Sequence, residues 1–152
     1  MGGGVDISEV RIEQATHADA VLLRGVNRLL GYLSSRASAL DEAGLQALLT
    51  APGLELWVAR QGEGGPVLGM LSLVSFRIPT GLRTWIEDVV VVPEARGQQV
   101  GDRLVQVAIE RSRALGARTL DLTSNPTRLA AHRLYLRNGF ALRETGVYRY
   151  AG

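Results

Sequence analysis

The chain has 152 residues, of which 46% are hydrophobic and 21% charged, enough for one packed domain and too few for two comfortable ones. All 17 basic residues are arginine and cysteine is absent, which excludes disulfide scaffolds, thiol nucleophiles, cysteine-ligated zinc and lysine Schiff bases. The net charge of +2 is unevenly divided: residues 1–76 hold five arginines against eight acidic residues, and residues 77–152 hold twelve against seven. The second half therefore favours an anionic ligand.

The N-terminal residues lack the basic and apolar regions of a secretory signal, and the apolar runs are too short to span a bilayer. These features predict a cytoplasmic protein with no membrane contact. Residues 1–8 are predicted to be a flexible tail, and residues 9–152 a single domain.

The first half of the domain combines one strand with two helices. The predicted elements are a strand over residues 9–15, a helix that follows the capping pattern of Thr16 and Asp19 and runs to about Leu30, and a short helix that starts at Ser38 or Asp41. Pro52-Gly53 ends the second helix. Residues 54–60 and 67–77 are rich in strand-forming residues, and the glycine-rich loop between them predicts an antiparallel hairpin.

The second half alternates strands and helices. Residues 83–92 form the most apolar run and end at Pro93, as expected for the centre of a sheet. The remaining predicted elements are a helix with Val100, Leu104, Ala108 and Leu115 on its inner face and Gly116 as its cap, a strand over residues 117–123, a helix from Asn125-Pro126 to Gly139, and strands over residues 140–143 and 147–150. The order β-α-α-β-β-β-α-β-α-β-β predicts an α/β (α+β) fold with a mixed central sheet of six to seven strands and about four helices.

The most informative segment lies between the apolar strand and the helix that follows it. A tight turn with Gly97 and Gly101 opens directly into the helix, and unpaired N–H groups at such a helix start can bind a phosphate or pyrophosphate. The segment does not match G-x-G-x-x-G, and a P-loop is excluded because it requires lysine. The glycines alone are equally compatible with an ordinary turn and with an anion site.

Two motifs together resemble the GNAT superfamily of N-acetyltransferases. V-P-x-x-R-G-x-x-V-G-x-x-L, at residues 92–104, is similar to the acetyl-CoA pyrophosphate loop of that superfamily. A-x-x-L-Y-x-x-N-G-F, at residues 131–140, resembles its second signature, and the predicted element order is the GNAT order over residues 9–151. One departure is Gln99, which stands where the loop pattern usually has glycine.

The resemblance implies transfer of an acetyl group from acetyl-CoA to a primary amine, by direct attack in a ternary complex and without a metal. In this reading the turn and helix start bind the pyrophosphate through backbone N–H groups, and the strand before them pairs with the pantetheine arm. The implied cofactor-binding residues are Val90, Val91, Val92, Arg96, Gly97, Gln98, Gln99, Val100, Gly101, Asp102, Asn125, Arg128 and Tyr135. Asn125 is better explained as a helix N-cap than as a cofactor contact, and Arg128 is equally explained as a solvated helix residue.

Two residues are candidates for catalysis. Tyr135 matches the position of the phenol that protonates the leaving CoA thiolate, although it could simply pack on the sheet. Glu87 matches the position of the general base in some GNAT enzymes, with an ion pair to an arginine as the alternative. Its neighbour Asp88 lies on the other face of the strand and is expected to be structural or to orient the substrate.

The resemblance also implies that the acceptor is a small-molecule or peptide amine, bound between residues 31–36 and the loop at residues 144–146. Nucleic-acid binding is disfavoured because the arginines are interleaved with acidic residues. The sequence is compatible with a homodimer but identifies no interface. The alternative to an enzyme is a non-catalytic acyl-CoA-binding module of the same fold, which Gln99 would favour.

Overall fold

A computed structural model describes residues 4–152, which form one mixed sheet and four α-helices. The elements are β1 (Val10–Gln14), α1 (Ala20–Leu33), α2 (Glu42–Leu49), β2 (Leu54–Gln61), β3 (Val67–Ile78), β4 (Gly81–Val91), α3 (Val100–Ala114), β5 (Thr119–Leu122) and α4 (Leu129–Arg137). The predicted tail includes residues 1–3, which lie outside the described residues. Its remaining part contains a 3-10 turn, Ile7–Glu9, capped by the Asp6 side chain.

The sheet has the strand order β1-β2-β3-β4-β5, with antiparallel pairing from β1 to β4 and parallel pairing between β4 and β5. The first seven residues of β3 are buried, so β3 is the central strand and the prediction that residues 83–92 occupy the centre is wrong. That run is apolar because β4 lies next to the centre. Helices α1 and α3 both pack against β3 and β4.

Aspartates at the N-termini fix where the first two helices begin. The carboxylate of Asp19 accepts a hydrogen bond from the backbone N–H of Leu22 at 2.8 Å, and that of Asp41 accepts one from Gly44 at 2.7 Å. A short polar side chain at this position satisfies one of the helix's free N–H groups. Asp41, and not Ser38, therefore starts α2.

The C-terminal part of the chain differs from the sequence prediction in two ways. Asn125 caps a turn and not a helix, because its side-chain oxygen accepts hydrogen bonds from the N–H and hydroxyl of Thr127 at 3.0 and 2.8 Å. Helix α4 consequently begins only at Leu129. The strands predicted over residues 140–143 and 147–150 do not form, and the sheet of the described residues has five strands where six to seven were predicted.

Candidate active site

The site begins with an irregularity in β4. Met70 of β3 lies opposite Val90, and Ser72 lies opposite Glu87, so two residues of β4 face one residue of β3. Asp88 accommodates this bulge with a left-handed backbone, φ 52°. A bulge of this kind bends its strand and increases the local twist.

Strand β4 extends beyond the end of β5. The parallel pairing joins Arg83–Ile86 to Thr119–Leu122 and does not continue beyond Ile86, although β4 runs on to Val91. The last five residues of β4 therefore have no strand on their β5 side within the described part of the chain. This open side of β4 lies at the carboxyl ends of two parallel strands, a common place for ligand binding.

A short loop connects this opening to α3. A 3-10 turn, Pro93–Ala95, is followed by two residues with left-handed backbone, Gly97 (φ 75°) and Gln99 (φ 64°). A Cβ on Gly97 would meet no atom within 4 Å, so its conformation and not a lack of space requires glycine. Gln99 occupies the N-cap of α3, and its side chain makes no capping hydrogen bond. The first N–H groups of α3 are thus left for a ligand.

A cavity of about 830 Å³ lies between this loop, the end of β4 and α4. The lining includes the predicted residues Val90, Val91, Arg96, Gly97, Gln99, Val100, Gly101, Asp102, Arg128 and Tyr135. Val92, Gln98 and Asn125 were also predicted to bind the cofactor but do not line it. Val92 is fully buried and its N–H donates to the Leu68 carbonyl at 2.8 Å.

A stack of side chains closes one side of the cavity. The guanidinium of Arg96 lies over the ring of Tyr32, 5.7 Å from its centroid, and that of Arg28 lies 6.0 Å from the same centroid. Arg28 is held by Glu94 at 2.6 Å, and Nε of Arg96 donates to the Val91 carbonyl at 3.1 Å. Cation–π contacts and the carbonyl bond therefore orient Arg96 at the end of β4. No local sequence pattern indicates the role of Tyr32, because this contact joins α1 to a loop more than sixty residues later.

Helix α4 is tied to the start of α3 on the other side of the cavity. The Asp102 carboxylate accepts hydrogen bonds from Nε and a terminal nitrogen of Arg137 at 2.7 and 2.9 Å, and another from the Asn138 side chain at 3.0 Å. The Arg137 guanidinium holds the pKa of the Asp102 carboxyl below its usual value. The side chain of Asp102 thus positions α4, whereas only a cofactor role was predicted for this residue.

A second, smaller cavity of about 270 Å³ adjoins the first. It is lined from three directions by the end of α1, the bulge of β4 and the residues after β5. Val89, Arg128 and Tyr135 line both cavities, so the two meet at these residues. Ser34 contributes to the lining, as predicted for the segment at residues 31–36, whereas residues 144–146 do not contribute.

Tyr135 lies at this junction on the inner side of α4. Its half-buried ring packs edge-on against Phe140, with 6.0 Å between ring centroids. Burial raises the pKa of the Tyr135 phenol, and the positive charge of Arg128 partly opposes that rise. The phenol is therefore protonated at neutral pH.

Carboxylates and a hydroxyl line the second cavity beside Tyr135. Glu87 and Asp88 are both exposed, and Nε1 of Trp85 donates to the Glu87 carboxylate at 3.0 Å. Glu87 is therefore oriented by a neutral hydrogen-bond donor, and not by the ion pair to an arginine that was the alternative prediction. The hydroxyl of Ser124 is buried in the same lining without a hydrogen-bond partner in the described residues.

Residues 26–140 match the family model described as Acetyltransferase (GNAT) family. The protein belongs to the GNAT acetyltransferase family. The resemblance inferred from the two motifs is therefore confirmed, and this GNAT chain has relatives of known activity. The aminoalkylphosphonate N-acetyltransferase of Salmonella typhimurium (strain LT2) is 38% identical over 102 residues, which cover 64% of this chain and 63% of that relative. The match thus spans slightly less than two thirds of the relative's length.

Solved structures of other acetyltransferases share the GNAT fold. An aminoglycoside acetyltransferase from an uncultured soil metagenomic sample has a TM-score of 0.80 at 17% identity, covering 95% of this chain and 97% of that one. AAC(6')-Iy, in complex with the bisubstrate analogue CoA-S-monomethyl-acetylneamine, has a TM-score of 0.75 at 17% identity, covering 94% and 98%. At identities this low, the likeness shows a shared fold and nothing more.

The described residues also bear on metal and membrane binding. No group of three His, Asp or Glu side chains between residues 4 and 152 lies close enough to hold a metal ion. Over the same residues, every helix is too short or too polar to cross a membrane.

Proposed function

We propose that this GNAT protein transfers the acetyl group of acetyl-CoA to a small primary amine by direct attack in a ternary complex. The observation that carries the proposal is the meeting of two cavities at Val89, Arg128 and Tyr135. One cavity has the N-terminus of α3 and Arg96 for an anionic cofactor, and the other has carboxylates for an ammonium group. Two substrates bound in them would meet beside Tyr135.

The larger cavity would hold acetyl-CoA, which supplies an acetyl group activated as a thioester. Backbone N–H groups between Gly97 and Asp102 would hold its pyrophosphate, with Arg96 adding positive charge. The free edge of β4 at Val90 and Val91 would hold its pantetheine arm, as an added strand does. Although Gln99 replaces a glycine, its backbone already has the left-handed conformation that glycine favours, so the loop keeps its shape.

The smaller cavity would activate the acceptor. A primary amine is an ammonium ion at neutral pH, and Glu87 would accept its proton, directly or through a water molecule. The freed nitrogen then attacks the thioester carbonyl carbon, so that the C–N bond forms, the nitrogen loses a second proton to solvent and the C–S bond breaks. Tyr135 would donate its phenolic proton to the departing sulfur, a role suited to a group whose burial keeps it protonated.

The cavity volume of about 270 Å³ favours a small acceptor over a folded protein. Because the Salmonella relative is named for aminoalkylphosphonates, these compounds and other short amines are the first acceptors to test. Arg128 in the lining offers a cation to an acceptor that carries an anionic group as well as its amine.

The test is release of free CoA from acetyl-CoA with a panel of aminoalkylphosphonates, aminoglycosides and simple alkylamines. Tyr135→Phe is expected to lower kcat by about 10²-fold while acetyl-CoA affinity, measured by calorimetry, changes much less. Glu87→Gln should lower kcat/KM, and Glu63→Gln, in the exposed loop between β2 and β3, is the matched control. Unchanged turnover in Tyr135→Phe would remove its role as the acid.

The same experiment separates the enzyme from a non-catalytic acyl-CoA-binding module. Binding of acetyl-CoA without turnover across the panel would support the module. Failure to bind acetyl-CoA would refute both functions.

A further inference from the structure

The larger cavity contains one charge of the wrong sign for an anionic cofactor. Three arginines line this cavity, Arg96, Arg128 and Arg137, and each would attract a phosphate group. Asp102 is the only acidic residue among the described residues that line it. Because the pyrophosphate of acetyl-CoA is negatively charged, a carboxylate at this place repels it.

Asp102 lies at the point where the pyrophosphate would bind. It is the third residue of α3, in the first turn of the helix. The N–H of Arg103 donates to the Gln99 carbonyl at 3.0 Å, whereas those of Val100, Gly101 and Asp102 have no hydrogen-bond partner in the described part of the chain. These three N–H groups are the free donors of the helix start, and one of them belongs to Asp102 itself. An acidic side chain in the first turn also interacts with the positive end of the helix dipole, which a bound anion would otherwise use.

The Asp102 carboxylate also holds an arginine that could bind a phosphate. Nε and a terminal nitrogen of Arg137 both donate to it, and the Asp102 side chain is only 14% exposed, whereas that of Arg137 is 56% exposed. The Arg137 guanidinium keeps the pKa of this carboxyl below its usual value, so the carboxylate is ionised at neutral pH. Arg137 therefore neutralises Asp102, and its own charge is not available to a ligand.

We propose that the Asp102 carboxylate weakens the binding of acetyl-CoA and of its product CoA at the start of α3, and that Arg137 limits this effect by pairing with it. The inference rests on the proposed function, because it concerns the cofactor of the larger cavity. Both substrate and product carry the same pyrophosphate, so Asp102 acts on each of them. A weaker site releases CoA faster after each acetyl transfer, and product release limits the turnover of many enzymes.

The test measures the Kd of the full chain for CoA and acetyl-CoA by calorimetry. Asp102→Asn keeps the shape of the side chain, removes its charge and frees Arg137. It is expected to lower the Kd for CoA by about 3–10-fold, the effect of one unit charge a few ångströms away. Arg137→Gln leaves the carboxylate unpaired and should raise the same Kd by a similar factor. Product inhibition by CoA during turnover should strengthen in Asp102→Asn and weaken in Arg137→Gln.

A double variant separates the effect of charge from the position of α4. Asp102→Asn/Arg137→Gln removes both charges, so its Kd for CoA should return to within about twofold of the wild-type value. If the pair served only to hold α4 in place, loss of either partner, or of both, would weaken binding. Binding of CoA by Asp102→Asn that is weaker than that of the wild type, or unchanged, would overturn the proposal.

Salt dependence and a second carboxylate of α3 provide the controls. The difference in Kd between the wild type and Asp102→Asn should shrink from about 0.01 M to about 1 M salt, over which the Debye length falls from roughly 30 Å to 3 Å. Glu110→Gln removes an equal charge from an exposed residue about 12 Å further along the helix. This control should change the Kd by less than about twofold. Circular dichroism checks that each variant is folded.

Failure of this inference can be distinguished from failure of the proposed function. If the wild type binds no acetyl-CoA, the proposed function fails and the inference fails with it. If the wild type binds and consumes acetyl-CoA but Asp102→Asn does not bind CoA more tightly, only the role of Asp102 is refuted.

Discussion

Replacing Gln99 by glycine is expected to stabilise the protein. Gln99 is held at φ 64° and ψ 16° at the start of α3, and its side chain gains no capping hydrogen bond there. The left-handed conformation costs a non-glycine residue roughly 1–2 kcal/mol. Glycine avoids this strain but loses about 0.5–1 kcal/mol more conformational freedom on folding. The difference favours Gln99→Gly by about 0.5–1 kcal/mol, on the order of 1–4 °C in Tm for a chain of this size.

The neighbouring glutamine provides a matched control. Gln98 has an ordinary negative φ, and its side-chain amide donates to the Glu94 carbonyl at 3.3 Å. Gln98→Gly therefore relieves no strain and is expected to lower the free energy of unfolding by about 0.5–1 kcal/mol. Urea denaturation and thermal melting of both variants measure the comparison. If Gln99→Gly destabilises the protein as much as Gln98→Gly does, the reasoning from backbone strain is refuted.

Three further substitutions test the packing around the site. Asp102→Asn should cost about 1–2 kcal/mol at pH 7. Arg137 lowers the pKa of Asp102 from 3.8, so the wild type exceeds Asp102→Asn in free energy of unfolding by the full amount above that pH. The difference should shrink as the pH falls below 3.8, and urea titrations at pH 7 and pH 3 would detect the change. Thr84→Val removes a fully buried hydroxyl that donates to Ser112 at 2.9 Å or to a backbone carbonyl at 2.8 Å. The free energy of unfolding is expected to fall by about 1–3 kcal/mol, which denaturation would measure. Gly25→Ala would bring a Cβ within 2.6 Å of a valine of β3. The free energy of unfolding should fall by about 1–3 kcal/mol, and the Tm should fall with it. An unchanged Tm would mean that α1 can move away without cost.

The sequence predicted those features that depend on neighbouring residues. The order of the first nine elements follows from local hydrophobic periodicity and from capping groups such as Asp19 and Gly116, which act within one helical turn. The turn before α3 was also predicted, because Gly97 marks a left-handed turn directly before a helix.

The features that the sequence did not predict depend on competition between two local structures or on contacts between residues far apart in the sequence. Asn125-Pro126 is compatible with both a helix start and a turn, and the bonds from Thr127 to the Asn125 side chain decide for the turn. The bulge at Asp88 has no glycine to mark it, since aspartate tolerates the left-handed conformation. The stacking of Tyr32 on Arg96 joins distant parts of the chain, which no local pattern reports.

The bulge at Asp88 also determines on which face of the sheet the side chains after it lie. Side chains alternate along a regular strand, but the extra residue places Glu87 and Val90 on the same face although they are three positions apart. Removing one residue at the bulge would therefore turn the end of β4 over and aim the following loop away from the cavity. A designer who wished to transfer the cofactor loop to another sheet would need to move the irregular strand together with the loop, because a regular strand would present the same glycines to the wrong side.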